Sequence, residues 1–185
     1  METIREEIYK DCIIKIIVDN NPLNPVEEFD QFGKMICFHN RYNLGHKHNH
    51  SLDSFQAFIK ANEKDIVVLP LYLYDHSGIT ISTTPFNCQW DSGQVGFIYA
   101  TREQILKEYG VKRITPKIRR KVEKLLITEV DTYDKYLTGG VYGFQILKGG
   151  DIEDSCWSFY DTPENIIKEC KSTIDTYDEQ LTLAI

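Results

Sequence analysis

The five histidines stand at positions 39, 46, 48, 50 and 76, and four of them fall within twelve residues. His-x-His-x-His sets three imidazoles on one side of an extended chain. His46, His48 and His50, joined by His39 or by Asp75 and His76 from the next strand, could enclose zinc or a similar ion. The plainer reading is a solvated loop beside Lys and Asn. The chain has no H-E-x-x-H, no H-x-H-x-D-H and no C-x-x-C partnering an H-x-E. No metal and no other cofactor is therefore expected.

Residues 72–96, YLYDHSGITISTTPFNCQWDSGQVG, gather further reactive types. Cys88 could act as a thiolate with His76 as base and Asp75 beside it. Asp75, His76 and Ser77 cannot form a triad among themselves, because neighbours in a strand point to opposite faces. Ser92 is not in G-x-S-x-G. A small hydrolase would centre on His39, His46, His48, Asp75, His76 and Cys88. A pocket that sequesters a nucleotide signal would stack bases on Tyr72, Tyr74 and Trp90 and hold phosphate with Arg41. Against both stands turn chemistry: DHSG and WDSG read as Asp-x-x-Gly turns, whose Asp and Ser bond nearby backbone amides. On that reading Tyr74, Phe86 and Trp90 cover a core edge, and catalysis is not expected.

The charges are unevenly spread. The 185 residues carry a net −7, yet residues 112–124, KRITPKIRRKVEK, hold seven Lys/Arg and one Glu. A net-acidic chain is a poor general nucleic-acid binder, since affinity there comes from neutralising phosphates. Direct nucleic-acid binding is expected only through 112–124, with Arg119, Arg120 and Lys121 at its centre. The plainer reading pairs those cations with the chain's own acids. The acidic remainder suits a cationic partner, as in mimicry of nucleic acid. Asp131, Asp134, Asp151, Glu153 and Asp154 are its candidate docking residues, with Asp161 near them.

Several elements must position these groups. Strands are predicted over 12–20, 34–39, 65–78, 79–83 and 94–100, from β-branched runs closed by turn residues. Pro70 within the third implies an edge or a bulge. Residues 41–50 form a loop whose Asn49 or Ser51 caps a helix over 52–62. Thr101 and Gln104 make a capping box for a helix that stops at Gly110. Pro116 opens the longest helix, ending before Gly139, with an apolar stripe interrupted by Glu129. Strands over 141–147 and 155–160 flank a loop, 148–154, and a last helix runs from Pro163 to about Asp178. This order gives an α+β class with a mostly antiparallel sheet and three to four helices. No repeat, low-complexity tract or linker appears, so 1–185 reads as a single domain.

No apolar run approaches membrane length, and the acidic start is unlike a secretory signal. Five cysteines, odd in number and without C-x-x-C, fit reduced thiols in the cytoplasm. Cys12 and Cys37 lie in apolar runs and are expected in the core.

FHNRYNLGHKH (38–48), LYLYDHSGITISTTPFNCQWDSGQVGFIY (71–99) and DTYDKYLTGGVYGF (131–144) carry a resemblance. Through them residues 35–160 resemble a family of uncharacterised accessory proteins of bacteriophages and other mobile elements. The resemblance implies a small protein of the host cytoplasm, of the kind that inhibits restriction or CRISPR defence. It implies no catalytic residue. The expectation is a non-enzymatic binding protein with a host protein or nucleoprotein complex as partner.

Overall fold

Strand pairing joins residues far apart in the chain. In the computed structural model, which describes residues 2–88 and 90–183, Cys12–Val18 pairs antiparallel with Tyr142–Lys148, Ile14 opposite Ile146. The contacts divide the chain into two compact units. One comprises Met1–Leu23 and Gly139–Ile185, here the split unit; Asn24–Thr138, the inserted unit, interrupts its sequence. Both junctions, in DNNPLNP and at Gly139–Gly140, read in the sequence as short turns between neighbouring elements, which is why the sequence reads as one domain.

The split unit is a four-stranded sheet in the order β1 (Thr3–Tyr9), β2 (Cys12–Val18), β7 (Tyr142–Lys148) and β8 (Asp151–Phe159). Cys12, Ile14 and Ile16 alternate onto one face of β2 and meet Phe144 and Ile146 of β7. The last helix, α5 (Pro163–Leu183), covers that face with Ile166, Ile167, Cys170 and Ile174. Burying each such isoleucine stabilises by roughly 1.5–3 kcal/mol. Both glycines of the β7–β8 turn have positive φ, 61° at Gly149 and 100° at Gly150. They close a tight two-residue hairpin. The expected loop over 148–154 is thus mostly strand. Gly143 is required for a different reason: a Cβ there would overlap the Trp157 ring.

The inserted unit has a second sheet in the order β3 (Lys34–Cys37), β6 (Ser92–Thr101), β4 (Ile66–Asp75) and β5 (Ile79–Ser82). Its helices are α1 (Pro25–Glu28), α2 (Leu52–Ala61), α3 (Arg102–Tyr109) and α4 (Pro116–Thr138). Val122, Leu126, Val130 and Tyr133 of α4 pack on Val67, Leu71, Leu73, Ile81 and Ile98 of the sheet. Ser51 caps α2 by accepting the Ser54 amide at 3.2 Å. Thr101 and Gln104 form the capping box of α3, and Gly110 ends that helix with φ 59°. β5 pairs only with Tyr72–Asp75, so Pro70 lies where β4 has β6 on one side and no strand on the other. Its missing N–H costs no ladder bond there.

Eight antiparallel strands and five helices in two sheets, counted among the described residues, make the chain α+β. Among those residues no helix is long and apolar enough to cross a membrane.

The charge divides with the units. The inserted unit holds 15 Lys/Arg and 14 Asp/Glu, a net +1. The split unit holds 6 and 14, a net −8. The excess acid of the chain therefore lies in the split unit.

Candidate functional site

The dense segment 72–96 builds one wall of a cleft of about 400 Å³ in the inserted unit. The ends of β3, β4 and β6 supply Phe38, His39, Asp75, Asp91 and Gln94 to it, and Trp90 stands at its rim. Trp90 is 96% exposed, so it does not cover a core edge as the sequence implied. Tyr74 and Phe86 do pack, with ring centroids 5.7 Å apart.

Asp75 and Asp91 both line this cleft, and among the described residues neither carboxylate accepts the nearby backbone amides expected of its turn. The Asp75 carboxylate accepts the Tyr42 hydroxyl at 3.2 Å and an Arg41 guanidinium N–H at 3.3 Å. The Arg41 guanidinium lies 5.3 Å from the Tyr42 ring centroid, and His39 stacks on that ring at 5.1 Å. In the sequence Asp91 reads only as a turn residue. Its Oδ2 is 3.2 Å from His76 Nδ1 and accepts the Cys88 thiol at 3.7 Å.

That arrangement differs from the Cys88–His76 pairing that the sequence suggests. Among the described residues no bond joins Cys88 to His76; each contacts Asp91 instead. A carboxylate beside the sulfur is the reverse of the electropositive setting that a nucleophilic cysteine uses. Ser92 donates to the Cys88 carbonyl, which fixes the turn. The nucleotide pocket is also divided. Strand alternation puts Tyr72 and Tyr74 on the face of β4 opposite Leu73 and Asp75, while Trp90 and Asp75 line the cleft. Arg41 reaches the cleft only as the partner of Asp75.

His39, His46 and His48 line a second cleft of about 390 Å³, with Cys37 and Glu27. His50 is outside it; its ring stacks on His48 and meets Phe55 at a tilt of 56°. Each of the three imidazoles is used by the backbone. His39 Nδ1 accepts the Arg41 and Tyr42 amides at 3.2 and 3.1 Å. His46 Nδ1 accepts the Met35 amide at 3.0 Å, and its own amide donates to the Met35 carbonyl at 2.9 Å. His48 Nε2 donates to the Cys37 carbonyl at 2.8 Å, and its Nδ1 accepts the His50 amide at 3.3 Å. Among the described residues no three His, Cys, Asp or Glu side chains group so that they could hold a metal ion. The His-rich spacing serves to fold loop 39–50 back along β3.

The acidic candidates fall in both units. Asp131 and Asp134 are on α4; Asp151, Glu153 and Asp154 are on β8. Asp134 is not a free docking group: its Oδ1 accepts the Thr80 hydroxyl at 2.5 Å and the Ile81 amide at 2.7 Å. Asp154 accepts the Tyr177 hydroxyl at 3.4 Å. Asp161 accepts the Thr162 amide at 2.6 Å at the start of α5. Asp151 and Glu153 are exposed, and among the described residues neither has an ion-pair partner.

The basic segment also departs from its plainer reading. Lys117, Arg120, Lys121 and Lys124 are exposed on α4, and Arg119 is half-buried. Among the described residues none of the seven cations in 112–124 is ion-paired. Glu129, the break in the apolar stripe, instead clamps the loop before β3. Its carboxylate accepts the Phe32 and Gly33 amides at 2.6 and 2.8 Å. Burial pushes that carboxyl up, and the two amides act the other way.

No protein-family model, no curated protein and no solved structure matches the chain.

Proposed function

We propose that the protein is a non-enzymatic binding protein that docks, through the acidic split unit, on a cationic site of a host nucleic-acid-handling protein. The observation that carries this reading is the pairing state of that unit. Arg5, Lys10, Lys15, Lys148 and Lys171 are all engaged with acids of the same unit. Asp151 and Glu153 on β8 remain exposed and unpaired among the described residues. Unpaired carboxylates on a unit of net −8 attract a basic groove and disfavour acidic surfaces. The likeness to accessory proteins of phages and mobile elements supports a defence complex, restriction or CRISPR, as that host partner in the cytoplasm.

The test is affinity capture from the host with two baits, wild type and an Asp151→Lys/Glu153→Lys/Asp154→Lys variant, read by mass spectrometry. A nucleic-acid-binding protein held by the first and lost from the second supports docking. Identical captures overturn it. A second reading, a ligand pocket at the first cleft, is favoured by Trp90 standing exposed over Asp75 and Asp91.

A further inference from the structure

We infer that the cation stripe of α4 binds the phosphate backbone of a nucleic-acid duplex. The inference stands apart from the acidic split unit, since every residue in it belongs to the inserted unit. Lys117, Arg120, Lys121 and Lys124 follow i, i+3, i+4, i+7 spacing, which places them on one face of a helix. The opposite face carries Val122, Leu126 and Val130 into the core, so the cations face solvent. The stripe extends about 10 Å along the axis, at 1.5 Å per residue.

Folding gives no account of these cations. They occupy the half of α4 where positive charge opposes the helix dipole. The first turn of α4 has no acid. Glu123, the one acid of the segment, forms no ion pair with them among the described residues. Four unpaired cations in register on a solvent face are unfavourable alone and become favourable beside a regular array of anions.

A duplex backbone is such an array. A single strand is a poorer match, because stacking platforms for its bases are lacking: the exposed positions of the stripe are Lys and Arg, with Ile127 and Thr128 beyond them and no aromatic among them. Asp131, exposed further along the same face, ends the stripe. The contact is with phosphate and carries no sequence preference.

The experiment titrates the full chain into a fluorescein-labelled 20-base-pair DNA duplex and follows anisotropy from 50 to 200 mM salt. Four phosphate contacts predict a log–log salt slope near −3.6, an affinity loss of about 10²-fold over that range. A Lys117→Gln/Arg120→Gln/Lys121→Gln/Lys124→Gln variant should lose at least about 10²-fold at 50 mM salt and flatten the slope. Its melting temperature should stay at the wild-type value, since Gln keeps comparable helix propensity. Unlabelled duplex should compete, whereas poly-glutamate and the single strand of the same length should compete weakly. Unchanged binding in the variant, or no binding by wild type at 50 mM salt, overturns the inference. So does equal competition by poly-glutamate, which would make the partner an acidic protein, or tighter binding of the single strand.

Discussion

The Asp134 carboxylate on α4 accepts the Ile81 amide of β5 at 2.7 Å, and the same oxygen takes the Thr80 hydroxyl at 2.5 Å. One side chain thus straps the longest helix to the edge strand of the inserted sheet. β5 is only four residues long and pairs on one side with β4. Its other backbone edge needs a partner, and Asp134 supplies part of it. An acid that reads in the sequence as a docking residue is therefore a structural one.

Asp134→Ala should destabilise the fold by about 2–4 kcal/mol, because it orphans an amide and a hydroxyl that bond to a charged group. Asp131→Ala, exposed on the same helix, should stay within about 0.5 kcal/mol of wild type. Urea denaturation of both variants checks the difference. Equal stabilities would show that the Asp134 bonds contribute little. It also follows that charge-reversal tests of docking must leave Asp134 intact.

Much of the fold was legible because its signals are local. The cap at Ser51, the Thr101–Gln104 box and the αL glycine at 110 sit where sequence placed them, since each depends on residues within a turn of one another. β1 was missed because TIREEIY is an edge strand with charges on both faces and little apolar alternation. α1 is one turn inside a breaker-rich stretch. The division into units was hidden because it rests on β2 pairing with β7 across more than a hundred residues. The candidate cleft was half legible. Residues 72–96 do gather there, but the Asp75–Arg41, Asp75–Tyr42 and Asp91–His76 contacts are tertiary. The same residue types serve turns, loop staples and catalysis, and spacing does not separate them.

His46 links stability to pH. Burial depresses its imidazole below the ordinary value of 6.5, with neighbouring Lys34 adding to this. A folded-state value below the unfolded one means that the unfolded chain binds more protons on acidification. The contribution of His46 is therefore complete above pH 6.5 and is lost as pH falls through its folded value. Protonated Nδ1 would also confront the Met35 amide that it now accepts. Glu7, Asp11 and Asp175, held low by Lys171, Lys148 and Lys10 respectively, lose their contributions only below the usual carboxylate range near 4. Urea midpoints at pH 7.5 and 5.5 should fall for wild type and fall less for His46→Gln. Parallel falls would remove His46 as the cause.

The thiols should divide by burial. Cys12, Cys37 and Cys170 are buried, Cys88 is partly exposed and Cys156 is exposed. Burial pushes Cys37 and Cys170 up to about 12, which keeps them as unreactive thiols at neutral pH. A thiol reagent should titrate Cys156 quickly and Cys88 next in the native protein. All five cysteines should react after denaturation without reductant. A shortfall of two in the denatured titration would mean a disulfide, and would contradict the free state of these cysteines.

The proposed docking through the split unit makes the sharpest demand on charge. Its net −8 and the unpaired Asp151 and Glu153 create a field that extends about a Debye length, near 8 Å at physiological ionic strength. Association with a cationic partner should therefore slow as salt rises, while dissociation changes less. Asp151→Lys/Glu153→Lys should lower the on-rate by about tenfold or more at low salt, with no loss of stability, because these exposed side chains have no ion-pair partner among the described residues. Cys88→Ala and His76→Ala should leave binding and protection of an incoming plasmid or phage unchanged. The measurements are stopped-flow association with the captured partner and a plaque or transformation assay in the host. If the acidic reversals are silent in both while His76→Ala or Cys88→Ala abolishes protection, the charge reading fails. The cleft of Asp75, Asp91, His76 and Cys88 would then be the working site.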